Sequence, residues 1–398
     1  MTTTTQKIPS GYKQTEIGMI PIDWDVKNLG DVCEKITTGK LNANAMVEGG
    51  EYRFYTCAKD YYRINRYAFD TEALLVSGNG ANVGYVHYYK GKFNAYQRTY
   101  VLSDFSADIQ YIKLFLDRNL QERIRVEVNA GNTPYITMGT LTEMQLAVPP
   151  SKTEQTAIAT TISDIGILVE KFEKLIGKKK NIKQGVMQEL LTKKRRLSGF
   201  SSKWETKALG DLVDVKDGTH QTPRYVDEGV PFYSVESVTS NDFENTKYIS
   251  ETEHRLLTKN FRIEKGDILM TRIGSIGDCK LITWEPNASF YVSLALLKPK
   301  DKKTSLYIYH FSKTDFFKKE LEDRSLQWAV PKKINLGEIS KVKIYLPVDP
   351  EEQTAIATVL SDMDTEIEKL ESQLTKYQNI KQGMMQTLLT GKIRLLTK

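Results

Sequence analysis

The sequence predicts an α+β protein: two domains of mixed α/β type separated by two long antiparallel coiled-coil helices, with a pseudo-two-fold relation between the halves. Three observations predict it. One long helical segment occurs twice without a gap. The stretches before its two copies share their edges and differ in their middles. Within those stretches, short β-rich runs alternate with Gly, Asn and Asp turns.

The helical repeat is unambiguous. EQTAIAT starts at Glu154 and Glu352, NIKQG at Asn181 and Asn379, and LLT at Leu190 and Leu388, each pair 198 positions apart. The apolar seam runs Ile158, Ile162, Ile165, Val169, Phe172, Ile176 in the first copy. In the second it runs Ile356, Leu360, Met363, Ile367, Leu370, Leu374, Tyr377. Steps of four and three alternate, which is the 3.5-residue period of a coiled coil. Pro150 and Pro350 stand where a helix start tolerates proline. A 44-residue helix is about 66 Å long and cannot leave its stripe in water. The other copy is the obvious partner. Gly185 and Gly383 recur inside the helices, which points to a close backbone approach or a local bend.

The domains follow by subtraction: residues 1–150 and 198–349 before the helices at 151–197 and 350–398. Trp24 opens WDVKNLGDV and Trp204 opens WETKALGDL; each stretch closes on a strand-like run, LTEMQLAVPP or ISKVKIYLP. Runs such as YVHYYKGKFNAYQRTYVL and DCKLITWEPNASFYVSLALL read as strands, and Ile109–Val126 and Leu306–Leu321 as helical pieces. One framework has been used twice to carry different loops.

The opening GYKQTEIGMIPIDWDVKNLGDV, the twin EQTAIAT…NIKQG…LLT helices, and the runs GTHQTPRYV and KGDILMTRIGSIGD resemble the specificity subunit of type I restriction-modification systems. The resemblance covers nearly the whole chain from Gly11 onward. It implies two target-recognition domains, each reading one half of a split, asymmetric site in double-stranded DNA. It also implies a helical spacer that docks two methyltransferase subunits, which restriction subunits join. S-adenosylmethionine, ATP and Mg would belong to those partners, and no cofactor or metal to this chain.

Base readout needs side chains matched to base-edge donors and acceptors, and phosphate contacts need cations and hydroxyls. In the first domain the candidates are Lys40, Tyr61, Tyr62, Arg63, Arg66, Asn79, Asn82, Gln97, Arg98, Asn132 and Thr133. In the second they are Lys216, Thr219, His220, Gln221, Thr222, Arg224, Tyr225, Arg272, Ser275, Gln327, Lys332 and Lys333. A net charge of +6 permits nucleic-acid binding without establishing it.

Other function classes find little support. Gly78-Asn79-Gly80-Ala81-Asn82-Val83-Gly84 looks like a nucleotide loop, but a strand-like run follows where a helix is required, so a turn is expected. Asn132-Thr133-Pro134-Tyr135 lacks one proline of an adenine-methyltransferase motif, and Ala329-Val330-Pro331-Lys332 stands at the matching place. No Gly-Lys pair is followed by Ser or Thr, which excludes a P-loop. Lys193-Lys194-Arg195-Arg196 reads as a solvated linker. Three dispersed cysteines fit a reducing cytosol, and with no signal-peptide pattern or membrane-length apolar run a cytoplasmic location is expected. The competing readings are a self-contained DNA methyltransferase or nuclease with fused recognition domains, and a coiled-coil adaptor with protein partners only.

Overall fold

The computed structural model describes residues 8–127 and 134–395. Two compact units emerge: Met1–Glu173 with Ser372–Lys398, and Lys174–Glu371. Each therefore holds one domain together with part of both long helices, which span Lys152–Leu191 and Pro350–Leu388. Among the described residues no helix is long and apolar enough to cross a membrane.

In the first unit, a six-stranded sheet has the order Cys33–Thr38, Thr99–Phe105, Phe69–Ser77, Val86–Ala95, Tyr52–Tyr55, Tyr62–Ile64. Every neighbour pair is antiparallel except Tyr52–Tyr55 with Val86–Ala95. The helix Ile109–Glu127 buries Tyr111, Ile112, Leu116 and Leu120, at helical spacing, in the core beneath the sheet. The shared edges form a separate two-stranded clasp, Asp25–Asn28 against Gln145–Val148, and Trp24 is fully buried beside it.

The second unit repeats the clasp, Trp204–Ala208 against Lys343–Pro347, but divides its sheet. One four-stranded sheet has the order Val213–Asp217, Leu294–Pro299, Ile268–Thr271, Cys279–Leu281; the other has Tyr225–Val226, Lys247–Ile249, Val230–Tyr233, Ser289–Phe290. The helical piece expected over Leu306–Leu321 is two helices, Ser305–Phe311 and Asp315–Arg324. Thr314 makes the break: its hydroxyl accepts from the Phe317 amide and caps the second helix.

Within each unit the two long helices run antiparallel. In the first, Ile158 and Ile162 share a core with Leu388 and Leu389, and Phe172 stacks on Tyr377 at 5.3 Å between ring centroids. In the second, Met187, Leu190 and Leu191 share a core with Ile356 and Leu360, while Lys179 pairs with Glu366 and Lys183 with Asp364. Of the seam residues, Ile158, Ile162, Val169, Ile176, Ile356, Leu360 and Ile367 are buried. Ile165, Phe172, Met363, Leu370, Leu374 and Tyr377 are half-buried. The domain supplies part of the cover: His310 sits against the second long helix, its Nε2 2.8 Å from Ser361 Oγ, and burial pushes its pKa down to about 4.

The recurring glycines do not serve close packing. A Cβ at Gly185 or Gly383 would meet no atom within 4 Å. Substituting Ala at either should therefore stabilise the protein by roughly 1 kcal/mol, since the helix gains propensity and meets no clash. Thermal denaturation of each single variant checks this.

The basic run Lys193–Arg196 is also more than a linker. The Arg196 guanidinium donates to Glu352 at 3.0 and 2.5 Å, where Ser202 Oγ (2.9 Å) and Trp204 Nε1 (3.3 Å) donate as well. The repeat builds the same clamp in the first unit. There Arg394 donates to Glu154 at 2.6 and 2.8 Å, and to Asp23 at 2.8 and 2.9 Å. The two glutamates are the first letters of the two EQTAIAT copies, and each is almost wholly buried.

Candidate functional site

In both units the loops nominated from sequence are drawn together by one backbone pattern. In the first, the Gly78 amide donates to Arg98 O (2.8 Å), the Gly80 amide to Pro134 O (3.0 Å), and the Ile136 amide to Gly78 O (2.9 Å). In the second, the Arg272 amide donates to Ser293 O (2.9 Å), the Gly274 amide to Lys332 O (2.8 Å), and the Ile334 amide to Arg272 O (3.0 Å). Gly80 and Gly274 both adopt positive φ, 78° and 84°, where glycine carries no Cβ penalty. The Gly78–Gly84 segment is thus a turn, not the mouth of a helix.

Side chains on this common frame differ. Arg272 is a candidate DNA contact from the sequence, but its side chain is only 8% exposed. Its guanidinium donates to Val292 O (2.8 Å), Ile334 O (3.3 Å) and Asp217 Oδ1 (2.8 Å). Arg272 therefore ties three chain segments together rather than reaching outward. A buried guanidinium needs this many acceptors, because an unpaired charge there costs several kcal/mol. The remaining Asp217 oxygen lies 2.7 Å from His220 Nε2, so the exposed imidazole is oriented through Asp217 from a buried anchor. At the matching position the first unit has Gly78, and the Ile136 carbonyl accepts instead from Tyr100 Oη at 3.0 Å.

A Cβ at Gly78 would lie 2.2 Å from the Arg98 carbonyl oxygen. Gly78→Ala should thus push the Arg98 loop away, cost about 1–3 kcal/mol, and weaken whatever that loop recognises. Melting temperature and ligand affinity of the variant check this.

Other nominated residues fall into distinct groups. Gln97 and Arg98 line a cleft of about 350 Å³ with Thr38, Tyr100 and Ile136. Lys40 and Arg66 line a second cleft, of about 490 Å³. Asn79 is bridged to Tyr135, and Asn82 spends its amide on Cys57 O (3.0 Å), so Asn82 shapes the turn. Tyr61, Tyr62 and Arg63 are exposed at the sheet edge. Asn132 and Thr133 lie outside the described residues. In the second unit Gln221, Thr222, Arg224, Tyr225 and Lys333 are exposed, and Lys216 and Thr219 half-buried, with Thr219 Oγ1 donating to Gln221 O. Ser275 is held by Asp278, Gln327 by Glu322 O (2.7 Å), and Lys332 by the Glu322 carboxylate.

Sequence reasoning missed an aromatic and cationic stack on the first unit's sheet. The Arg53 guanidinium lies 4.3 Å from the Tyr61 ring centroid and 4.4 Å from that of Tyr89, and Lys92 lies 4.8 Å from that of Tyr67. Each such pair contributes about 0.5–1 kcal/mol at an exposed site. The tyrosine-rich composition of YVHYYK was the available signal. Burial lowers the pKa of the nearby His87, so this face draws its positive charge from Arg and Lys.

Residues 21–184 and 201–377 match the family described as Type I restriction modification DNA specificity domain. The chain belongs to this family. It is 40% identical over 153 residues to the specificity subunit of the type I restriction enzyme EcoDI of Escherichia coli, a stretch covering 38% of this chain and 33% of that one. The chain thus spans a third of the length of that relative. It is 25% identical over 427 residues, 97% of each chain, to the putative type I restriction enzyme MjaX specificity subunit of Methanocaldococcus jannaschii. A solved structure of the S subunit of a type I restriction-modification system from M. genitalium has the same fold. Its TM-score is 0.67 at 17% identity, over 96% of this chain and 97% of that one. The two matched ranges each fall on one specificity domain with part of its following helix. The residues that differ between the two frames, Gly78 with Tyr100 against Arg272 with Asp217, are thus differences between two specificity domains of one chain.

Proposed function

We propose that this DNA sequence-recognition subunit of a type I restriction-modification system reads a bipartite, asymmetric site, one half with each specificity domain. The carrying observation is one backbone frame, built twice, that carries different side chains: His220, held through Asp217 and Arg272, on one, and Gln97 and Arg98 on the other. Identical frames with unlike readers fit unlike half-sites. A bidentate contact from Arg or Gln supplies about 1–3 kcal/mol of discrimination, so a few per domain suffice.

The paired helices serve as the scaffold for two methyltransferase subunits, through which restriction subunits join. Methyl transfer and cleavage, with their S-adenosylmethionine, ATP and Mg, are assigned to those partners, and this chain contributes recognition without catalysis. The specificity-subunit names of its relatives support that division of labour.

Methylation mapping of cells expressing this chain with a cognate methyltransferase tests the reading. One split motif with two different halves is expected. Methylation scattered without a motif would refute it, as would S-adenosylmethionine binding by the chain on its own.

A further inference from the structure

The second specificity domain carries an apolar projection that the recognition reading has not used. Trp328 is 97% exposed and Val330 99% exposed. The sequence has four tryptophans; Trp24 is buried, and Trp204 and Trp284 are half-buried. An indole left wholly in water is unusual, because tryptophan is highly buried on average.

The segment that carries it is pinned at its base. The Leu326 amide donates to Lys333 O (2.8 Å), and the Ala329 amide to Leu326 O (3.2 Å). Gln327 Nε2 donates to Glu322 O (2.7 Å) and Ser325 Oγ (3.2 Å), and Lys332 pairs with Glu322. The next residue, Ile334, exchanges backbone and guanidinium hydrogen bonds with Arg272. The anchor that orients His220 therefore also fixes the root of this projection. Trp328 and Val330 stand on a built support, two residues apart, rooted through Ile334 on the same Arg272 that holds Asp217 and, through it, His220.

We propose that the Trp328–Val330 tip is an apolar wedge that packs into a base step of the second half-site and partly opens it. The proposal rests on the DNA-recognition reading above and adds a contact of a different chemical kind. Three features select duplex DNA as the occupant. The exposed apolar surface here is two side chains, Trp328 and Val330, on one short segment, whereas a protein partner is held by a broad patch of about 800 Å² per side. At its root Glu322 is paired with Lys332, and Lys333 on the same segment is exposed, which suits a phosphate backbone. A planar indole matches the slot between stacked bases, and apolar side chains inserted there unstack and kink a duplex. The wedge reads deformability rather than base edges, so it favours a flexible pyrimidine–purine step.

The test uses the full chain with its methyltransferase and a duplex carrying the mapped site. 2-Aminopurine replaces single non-target bases across the second half-site. With the unaltered chain, fluorescence should rise at one step on binding. Trp328→Phe should keep that rise, and Trp328→Ala should abolish it and weaken binding about tenfold, the scale of one lost base–aromatic stack. Unchanged affinity and an unchanged fluorescence rise with Trp328→Ala would overturn the wedge while leaving recognition intact. Weaker capture of the methyltransferase by Trp328→Ala without DNA would also overturn it, by making the tip a protein contact. If the unaltered complex retains no duplex at all, both the wedge and the recognition reading fall.

Discussion

Arg394→Ala is expected to cost about 3–5 kcal/mol of stability, and Arg196→Ala somewhat less. Both lesions strip the cation from a buried carboxylate, and an ion pair broken on one side leaves an uncompensated charge. Glu352 has no exposed side-chain surface, and Glu154 almost none. The two losses differ because the surroundings differ. Glu352 keeps the Ser202 hydroxyl and the Trp204 indole when Arg196 is removed. Among the described residues, Glu154 has Arg394 as its side-chain partner, and Arg394 also holds Asp23. Acid provides an internal control. Burial works to raise the Glu352 pKa, but Arg196, Ser202 and Trp204 more than offset it and hold it below the ordinary 4.5. A depressed carboxylate contributes stability above its unfolded pKa and loses it as pH falls through the folded value. The gap between the unaltered chain and Arg196→Ala should therefore be full near pH 7 and narrow below about pH 4.5. Urea titrations at several pH values measure it; a gap that widens in acid would contradict the clamp.

A fragment ending at residue 197 should form a homodimer. The first unit completes its core with Ser372–Lys398, and the repeat supplies equivalents of that segment 198 positions earlier. Met187, Leu190, Leu191 and Arg196 stand where Met385, Leu388, Leu389 and Arg394 stand. Two copies of residues 1–197 can therefore exchange helices, each placing its Arg196 on the other's Glu154. Without the exchange, Ile158 and Ile162 lose the apolar cover that Leu388 and Leu389 provide, at about 25 cal/mol per Å² exposed. Sedimentation should show a dimer, and Arg196→Ala in the fragment should shift it toward monomer. With a methyltransferase partner, the dimer should direct methylation to a palindrome of the first half-site. A well-folded monomeric fragment would refute the exchange.

The helices were legible because their signal is local: a 3.5-residue seam and a gapless repeat need no knowledge of the rest of the chain. The clasp strands were legible for a related reason, since Trp-led openings and proline-closed ends recur as a framework. The clamps were not. Arg196 and Glu352 lie 156 positions apart, and nothing near Arg196 distinguishes it from the solvated lysines before it. Arg272 misled for the opposite reason. A cation on a glycine-flanked turn looks like a reader until Asp217, Val292 and Ile334 converge on it, and that convergence is tertiary. The stack of Arg53 on Tyr61 and Tyr89 depends on the parallel pairing of Tyr52–Tyr55 with Val86–Ala95, a contact that hydrophobic alternation does not reveal.

Independent reading by the two specificity domains is tested most directly by methylation mapping of a variant confined to one of them. His220→Ala removes an exposed side chain of the second domain and leaves the Arg272–Asp217 pair and every described contact of the first domain intact. The motif should lose stringency in one half only, while the other half and the spacing stay as they are. Equal loss in both halves, or an unaltered motif with full methylation, would contradict the account.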